Sequence, residues 1–209
     1  MKKQAILAAL LGTFLLTGCA NKPDGERNDS LEGFNRTMWK FNYNVMDRYV
    51  LEPVAKGWNN YVPKRVSSGL TSMANNLDEP VSFVNRLIEG EPKKAFVHFN
   101  RFWINTIFGL GGFVDFASAS KELRIDHQRG FGETLGSYGV DAGTYIVLPI
   151  YNATTPRQLT GAVVDAAYMY PFWEWIGGPW SLVKYGVQAV DTRAKNLDNA
   201  ELLRQAQDP

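Results

Sequence analysis

Cysteine is nearly absent from this chain: Cys19 is the only one in 209 residues. A lone thiol excludes a disulfide framework and a thiolate-built metal site. Histidine is almost as scarce. His98 and His127 stand far apart in sequence, which argues against a clustered histidine metal site. A charge excess is missing too: 22 Lys+Arg face 21 Asp+Glu. There is no basic surplus for nucleic acid and no acidic block to act as a solvating tail. Beyond residue 18 there is also no apolar run of the roughly 18 residues that a spanning helix needs. Even "FVHFNRFWINTIFGLGGFVDFA" is broken by His98, Asn100, Arg101 and Asn105.

The one cysteine follows a short apolar stretch. Lys2 and Lys3 form a positive start, Ala5 to Leu16 an apolar segment of signal-peptide length, and Leu16-Thr17-Gly18-Cys19 a lipobox. This order predicts a lipoprotein signal over 1–18 and a covalent lipid on Cys19, with no other cofactor. Several acyl chains anchor firmly where one holds only reversibly. Ala20 in place of Asp at the next position favours the outer membrane over the inner. Loss of Lys2 and Lys3 leaves 20 basic against 21 acidic residues. Residues 19–28 are polar, with Pro23 and Gly25, and read as a tether. Residues 29–209 are enough for one domain.

Start and stop signals in that domain are mostly helical. Asp29-x-x-Glu32 reads as a capping box for a helix from about Ser30. Pro53 is expected to interrupt it, with a short helix following. Pro63, Asp78 with Pro80, Pro92, Thr155 with Pro156, and Pro179 open further helices. Gly90 closes the one opened at Asp78. The helix from Pro92 should run to about Phe108, the one from Pro156 towards Tyr168. Residues 118–143 are loop-rich, and only 144–150 suggests a strand, a short one. The expected fold is all-α, with a glycine-rich hairpin and at most one short strand.

These helices are too apolar for one core. On the helix after Pro92, His98, Arg101 and Asn105 share a narrow polar stripe. Phe96, Phe99, Trp103 and Ile107 lie opposite, and Val97, Phe102, Ile104 and Phe108 widen the apolar sector beyond half the circumference. A helix packed on a single core needs about a third. "YPFWEWIGGPW" from Tyr170 adds aromatics of the kind favoured at a membrane interface. Each aromatic alone fits a large core; with a lipid anchor the pattern points to amphipathic helices lying in a bilayer plane. Asp165 is the only charge between Arg157 and Glu174, and Lys184 the only one between Glu174 and Asp191. Charges isolated on apolar helices face a partner or a wet cavity, here one able to pass a headgroup, unless the face is simply solvated.

Catalytic patterns are incomplete. Gly130-x-Gly132-x-x-x-Gly136 has one residue too many for a dinucleotide loop and no strand before it. Leu135-Gly136-Ser137-Tyr138-Gly139 lacks the first glycine of a nucleophile elbow, and His127 precedes Ser137 where the order requires it after. The residues leave open a lipid-conducting protein, an anchored lipase, and a structural lipoprotein that braces porins.

"DSLEGFNRTMWKFN" from Asp29 resembles the hallmark of the VacJ/MlaA family of outer-membrane phospholipid-transport lipoproteins. "VHFNRFWINTIFGLGGFVD", "FGETLGSYGV", "YIVLPIY", "TRAKNLD" and "ELLRQAQDP" are similar to its later motifs, in family order. The resemblance implies a ring of helices in the inner leaflet of the outer membrane around an amphipathic channel. It implies retrograde removal of phospholipid from the outer leaflet. The implied partners are trimeric porins and a soluble periplasmic lipid carrier, and the protein itself would be no enzyme. Asp165, Lys184 and Arg204 resemble channel-lining positions, Arg204 on this ground alone. Gly139 and Gly143 flank a turn that is either a hinge for a gating hairpin or plain turn chemistry. Family chains usually continue past the position of Pro209, where this sequence stops, and contacts made by such an extension lie outside what it specifies.

The lipobox carries a direct test. Cys19→Ala should abolish incorporation of a labelled fatty-acid analogue and lipoprotein-type processing; persistent labelling would refute the assignment.

Overall fold

A computed structural model describes residues 31–176 and 179–197. The signal segment, Cys19, the tether, Asp29 and Arg204 lie outside the described residues. The first helical run is α1 (Glu32–Phe41), a π-helical segment (Asn42–Leu51) and α2 (Glu52–Tyr61), joined without a break. The interruption expected at Pro53 is therefore absent. The hydrogen-bond register widens before the proline, with the Glu52 N–H donating to the Asp47 carbonyl. Pro53 then sits in the first turn of α2, where its missing N–H costs nothing.

Five more helices follow: α3 (Lys64–Asn76), α4 (Glu79–Ile88), α5 (Pro92–Ile107), α6 (Phe131–Ser137) and α7 (Pro156–Ile176), and then α8 (Trp180–Lys195) closes the set. Gly90, at φ +73°, ends α4 as expected. α7 runs on past Tyr168 with Pro171 inside it, so one lost hydrogen bond does not end it. Residues 117–119 and 121–123 form two single 3-10 turns.

The expected strand is present as β1 (Ile146–Leu148), and it pairs antiparallel with a second, β2 (Asn152–Thr154), that the sequence did not announce. Strand backbone needs partners on both sides. β2 supplies one set. Two asparagines of the first helical run, seven residues apart, supply the other. Asn35 Nδ2 donates to the Tyr145 carbonyl (3.0 Å), and Val147 N–H to Asn35 Oδ1 (2.9 Å). Asn42 Nδ2 donates to the Leu148 carbonyl (2.7 Å), and Ile150 N–H to Asn42 Oδ1 (2.8 Å).

Helix contacts form a closed circuit. α8 packs on α3, α3 on α5, α5 on α4, α4 on α6, α6 on α7, and α7 returns to α8. α2 also packs against α8, and α1 carries β1. The joint between α6 and α7 depends on glycine: a Cβ on Gly161 would lie 2.1 Å from the Gly132 nitrogen. The glycines resembling a dinucleotide loop are thus a helix-packing stripe.

The burial pattern is inverted. The buried apolar residues are Ala55, Ala74, Ala95, Ala117, Ile146, Val147, Met169 and Ala194, half of them alanines of the helices. Trp175 (82% exposed), Leu110 (74%) and Leu182 (73%) point outwards, as do Phe96, Phe99, Trp103 and Ile107 of α5. Buried instead are Glu79, Ser82, Asn85, His98, Arg101, Asn105 and Lys184. Small residues at helix contacts and large apolar ones facing out are the packing of helices in lipid. Among the described residues no helix is long and apolar enough to cross a membrane.

Asn42→Leu should destabilise the protein by about 1–3 kcal/mol, because the buried Asn42 amide gives up two hydrogen bonds to strand backbone, each worth about 0.5–1.5 kcal/mol. The check is the denaturation midpoint in detergent micelles, with Asn44→Leu, an exposed neighbour, as the control.

Candidate functional site

The stripe predicted on α5 does face inwards, and α4 supplies the groups it meets. On α4 the buried positions Glu79, Ser82 and Asn85 recur every three residues and form one polar edge, of which Glu79 meets α5 while Ser82 and Asn85 bond to residues 128–134 and α7. Arg101 Nε donates to Glu79 Oε1 (2.7 Å), and His98 Nδ1 lies 2.7 Å from Glu79 Oε2. A carboxylate only accepts, so the imidazole proton there is on Nδ1. The guanidinium also donates to Asp115 Oδ2 (3.1 Å), Ser118 Oγ (3.1 Å) and the Leu123 carbonyl (2.9 Å). Asn105 Nδ2 donates to Asp115 Oδ1 (2.9 Å) and its Oδ1 accepts from the Ala117 N–H (2.9 Å). Burial alone would raise the Asp115 pKa, but Ser118, Asn105 and Arg101 outweigh it and hold the carboxyl below its ordinary range. His98, Arg101 and Asn105 are therefore the ties that fix α5 and the 115–123 segment to α4.

A second cluster holds Asp165. Phe131 N–H donates to Asp165 Oδ2 (2.9 Å), and Asn85 Nδ2 to Asp165 Oδ1 (3.0 Å). The Tyr168 hydroxyl donates to the same Oδ1 (2.5 Å). Burial first, and then the Asp165 carboxylate, push the Tyr168 phenol far above its usual pKa, so it remains a donor. Asp165 is isolated along the sequence but surrounded by donors in space. It ties α7 to α4 and α6.

Lys184 is 5% exposed on α8 and pairs with Asp78, at the corner between α3 and α4. Its Nζ also lies 4.4 Å from the centroid of the Tyr185 ring. Its neighbour one turn on, Gln188, donates through Nε2 to Asp78 Oδ2 (3.0 Å) and Asn75 Oδ1 (3.2 Å). Asp78 and the Gln188 contact were not singled out from the sequence. Asp78 looked like a helix-start residue, and only folding brings it to a lysine 106 positions away.

Asp165 and Lys184 nevertheless share a cavity. A chamber of about 680 Å³ is lined by Asp78, Ser82, Asp165, Met169, Glu174 and Lys184, among others, all drawn from the ring circuit or its corners. A second chamber, of about 730 Å³, is lined by Trp39, Tyr43, Met46, Val50, Ile150 and Ala189 together with polar residues of α8. Gly139 and Gly143 line neither. Both have φ near +80°, the first after α6 and the second with its N–H on Asp141 Oδ1 (2.7 Å). The Ser137 hydroxyl of the elbow-like motif donates to the Thr134 carbonyl (2.7 Å), a helix-end contact, and His127 faces Glu133 at 4.0 Å. Among the described residues no group of His, Cys, Asp and Glu could hold a metal ion. The arrangement is one of polar and apolar chambers suited to an amphiphile.

A family model described as MlaA lipoprotein matches residues 27–209. An "Intermembrane phospholipid transport system lipoprotein MlaA" of Haemophilus influenzae is 85% identical across 100% of this chain, which covers 85% of that relative. The protein so described in Escherichia coli is 44% identical over 99% of this chain and 83% of its own length. A solved structure from work on the "Structural basis for maintenance of bacterial outer membrane lipid asymmetry" is similar with a TM-score of 0.78 and 44% identity, over 88% of this chain and 92% of that one.

Arg101→Leu should cost about 3–5 kcal/mol, because the Glu79 carboxylate would stay buried without its guanidinium partner. Glu79→Leu with Arg101→Leu should cost less than the two single changes added together. Chemical denaturation of the four proteins of that cycle reads the difference; additive costs would place the two side chains in separate networks.

Proposed function

Because this chain belongs to the MlaA lipoprotein family, we propose that it takes phospholipid out of the outer leaflet of the outer membrane and passes it on towards the inner membrane, so preserving lipid asymmetry. The observation that carries this reading is the inverted ring: exposed apolar side chains outside, and a chamber with charged walls among the helices of the circuit. Outward-facing Phe96, Trp103, Ile107, Trp175 and Leu182 would be costly in water and are at home among acyl chains. With no spanning helix among the described residues, the ring lies in one leaflet, held by the lipid on Cys19. A buried charged wall in such a ring gives a headgroup a wet path, while the tails follow apolar surfaces.

In this reading Lys184 attracts the anionic phosphodiester and Arg204, outside the described residues, adds a second cation. Asp165 has a different part: it holds α6 and α7 together at the chamber wall. Trimeric porins are the proposed support in the membrane, met through the exposed aromatic surface, and a soluble carrier receives the lipid on the periplasmic side. No covalent chemistry is assigned to the protein. Ser137 and His127 each engage other groups, and no catalytic arrangement links them.

Deleting the gene should raise outer-leaflet phospholipid and detergent sensitivity. Lys184→Gln keeps a donor for Asp78 but removes the cation; it should fail to restore asymmetry while immunoblots show normal abundance. Arg204→Asp should do the same. Full complementation by both variants would remove these cations from the mechanism, and normal asymmetry in the deletion strain would overturn the transport reading.

A further inference from the structure

Ser181, Lys184, Tyr185, Gln188, Ala189, Thr192, Arg193 and Asn196 recur every three or four residues, so they form one continuous face from the start of α8 to its end. The first three line the ring chamber, and the remaining five line the second chamber. The chambers thus succeed one another along a single helix face about 22 Å long, at 1.5 Å per residue. They are parted at Lys184 and Gln188, where α8 is bonded to Asp78 and Asn75.

The ends of this groove differ in chemistry. The ring chamber carries Asp78, Arg129, Asp165, Glu174 and Lys184. The second presents Trp39, Tyr43, Met46, Val50, Leu51 and Ile150. Its charged lining residues, Asp47 and Arg193, are closed on each other in a bidentate pair (2.5 and 2.8 Å). Trp39 and Tyr43 stack with ring centroids 4.8 Å apart and make a flat aromatic wall. Ile150, a β-branched residue, is held at φ +70° with its N–H on Asn42 Oδ1. That conformation is strained for such a side chain, and strain of this kind is kept where surrounding structure enforces it. Here it places an apolar side chain on the chamber wall.

We propose that one phospholipid lies along α8, its headgroup beside Lys184 in the ring chamber and its acyl chains in the chamber between α8 and the α1–π segment, with Asp78 as the clamp between them. The inference rests on the transport reading and adds the lipid's site and orientation. A bilayer of about 40–45 Å including headgroups gives each lipid roughly 20–22 Å, the length of the α8 face. The clamp follows from charge. Asp78 and a phosphodiester each offer one negative charge and strong acceptor oxygens to the same ammonium. An arriving phosphate replaces Asp78 at Lys184. Asp78 retains Gln188, and Tyr185 stays over the cation in either state. The passage then opens for the chains.

The test uses the full-length lipidated protein reconstituted in vesicles containing phosphatidylglycerol with a diazirine at the end of one acyl chain. After illumination, peptides are mapped by mass spectrometry. Labels are expected within residues 39–51 and at 189–193. Labels confined to the ring-chamber face of α7, at Ala162 and Met169, would overturn the orientation. No label in either chamber would overturn the transport reading and this inference with it. Asp78→Asn removes the competing charge and should increase labelling several-fold. Unchanged or lower labelling in a variant with a normal melting profile would eliminate the clamp, while the wild-type map still decides the site.

Discussion

The cost of an unpartnered polar group away from water governs this structure. In a protein surrounded by water, apolar burial drives folding and polar groups can be satisfied by solvent. Here the large apolar side chains face outwards, so the helices gain little by hiding them from one another. The interior is held by Glu79 with Arg101 and His98, by Asn85 with Asp165, and by Lys184 with Asp78. The first locks two consecutive helices together, and the other two join elements distant in sequence. Each is strong because its alternative, a buried charge or amide left without a partner, is so unfavourable.

The same constraint explains the chambers. A core of leucines and phenylalanines would interdigitate and close. Helices spaced by alanine and glycine at their contacts, and propped apart by charged side chains, leave room between them. Gly132 against Gly161 draws α6 and α7 together on one side of the ring. Lys184 and Gln188, bonded to the α3–α4 corner, set α8 on another. Scaffold and site overlap at Asp78, Asp165 and Lys184, which tie the ring together and also line its chamber.

Asparagine has a particular part in this economy of hydrogen bonds. Asn35 and Asn42 stand on a helix but satisfy strand backbone, which lets a two-stranded hairpin sit against a helix without a third strand. Asn85 gathers α4, α6 and α7 around one side chain. An amide offers both donors and acceptors without a charge to neutralise, and so can bridge elements of different kinds in an interior poor in water.

Much of this was legible in the sequence. Prolines and glycines marked most helix boundaries, because they act through local backbone sterics. The width of the apolar sector on the helix after Pro92 announced an inverted protein, since periodicity reports which sides of a helix are apolar whatever covers them. Asp165 and Lys184 stood out as charges without neighbours, and both line one cavity. The partners of those charges came only with tertiary structure. Lys184 finds Asp78 and Asp165 finds the Phe131 N–H because the ring closes, and no local pattern encodes a contact between residues so far apart. Pro53 and β2 went unforeseen for related reasons. A widened helical turn and a strand paired partly by side chains both depend on what surrounds them, and sequence spacing carries the local preference but not the partner that overrides it.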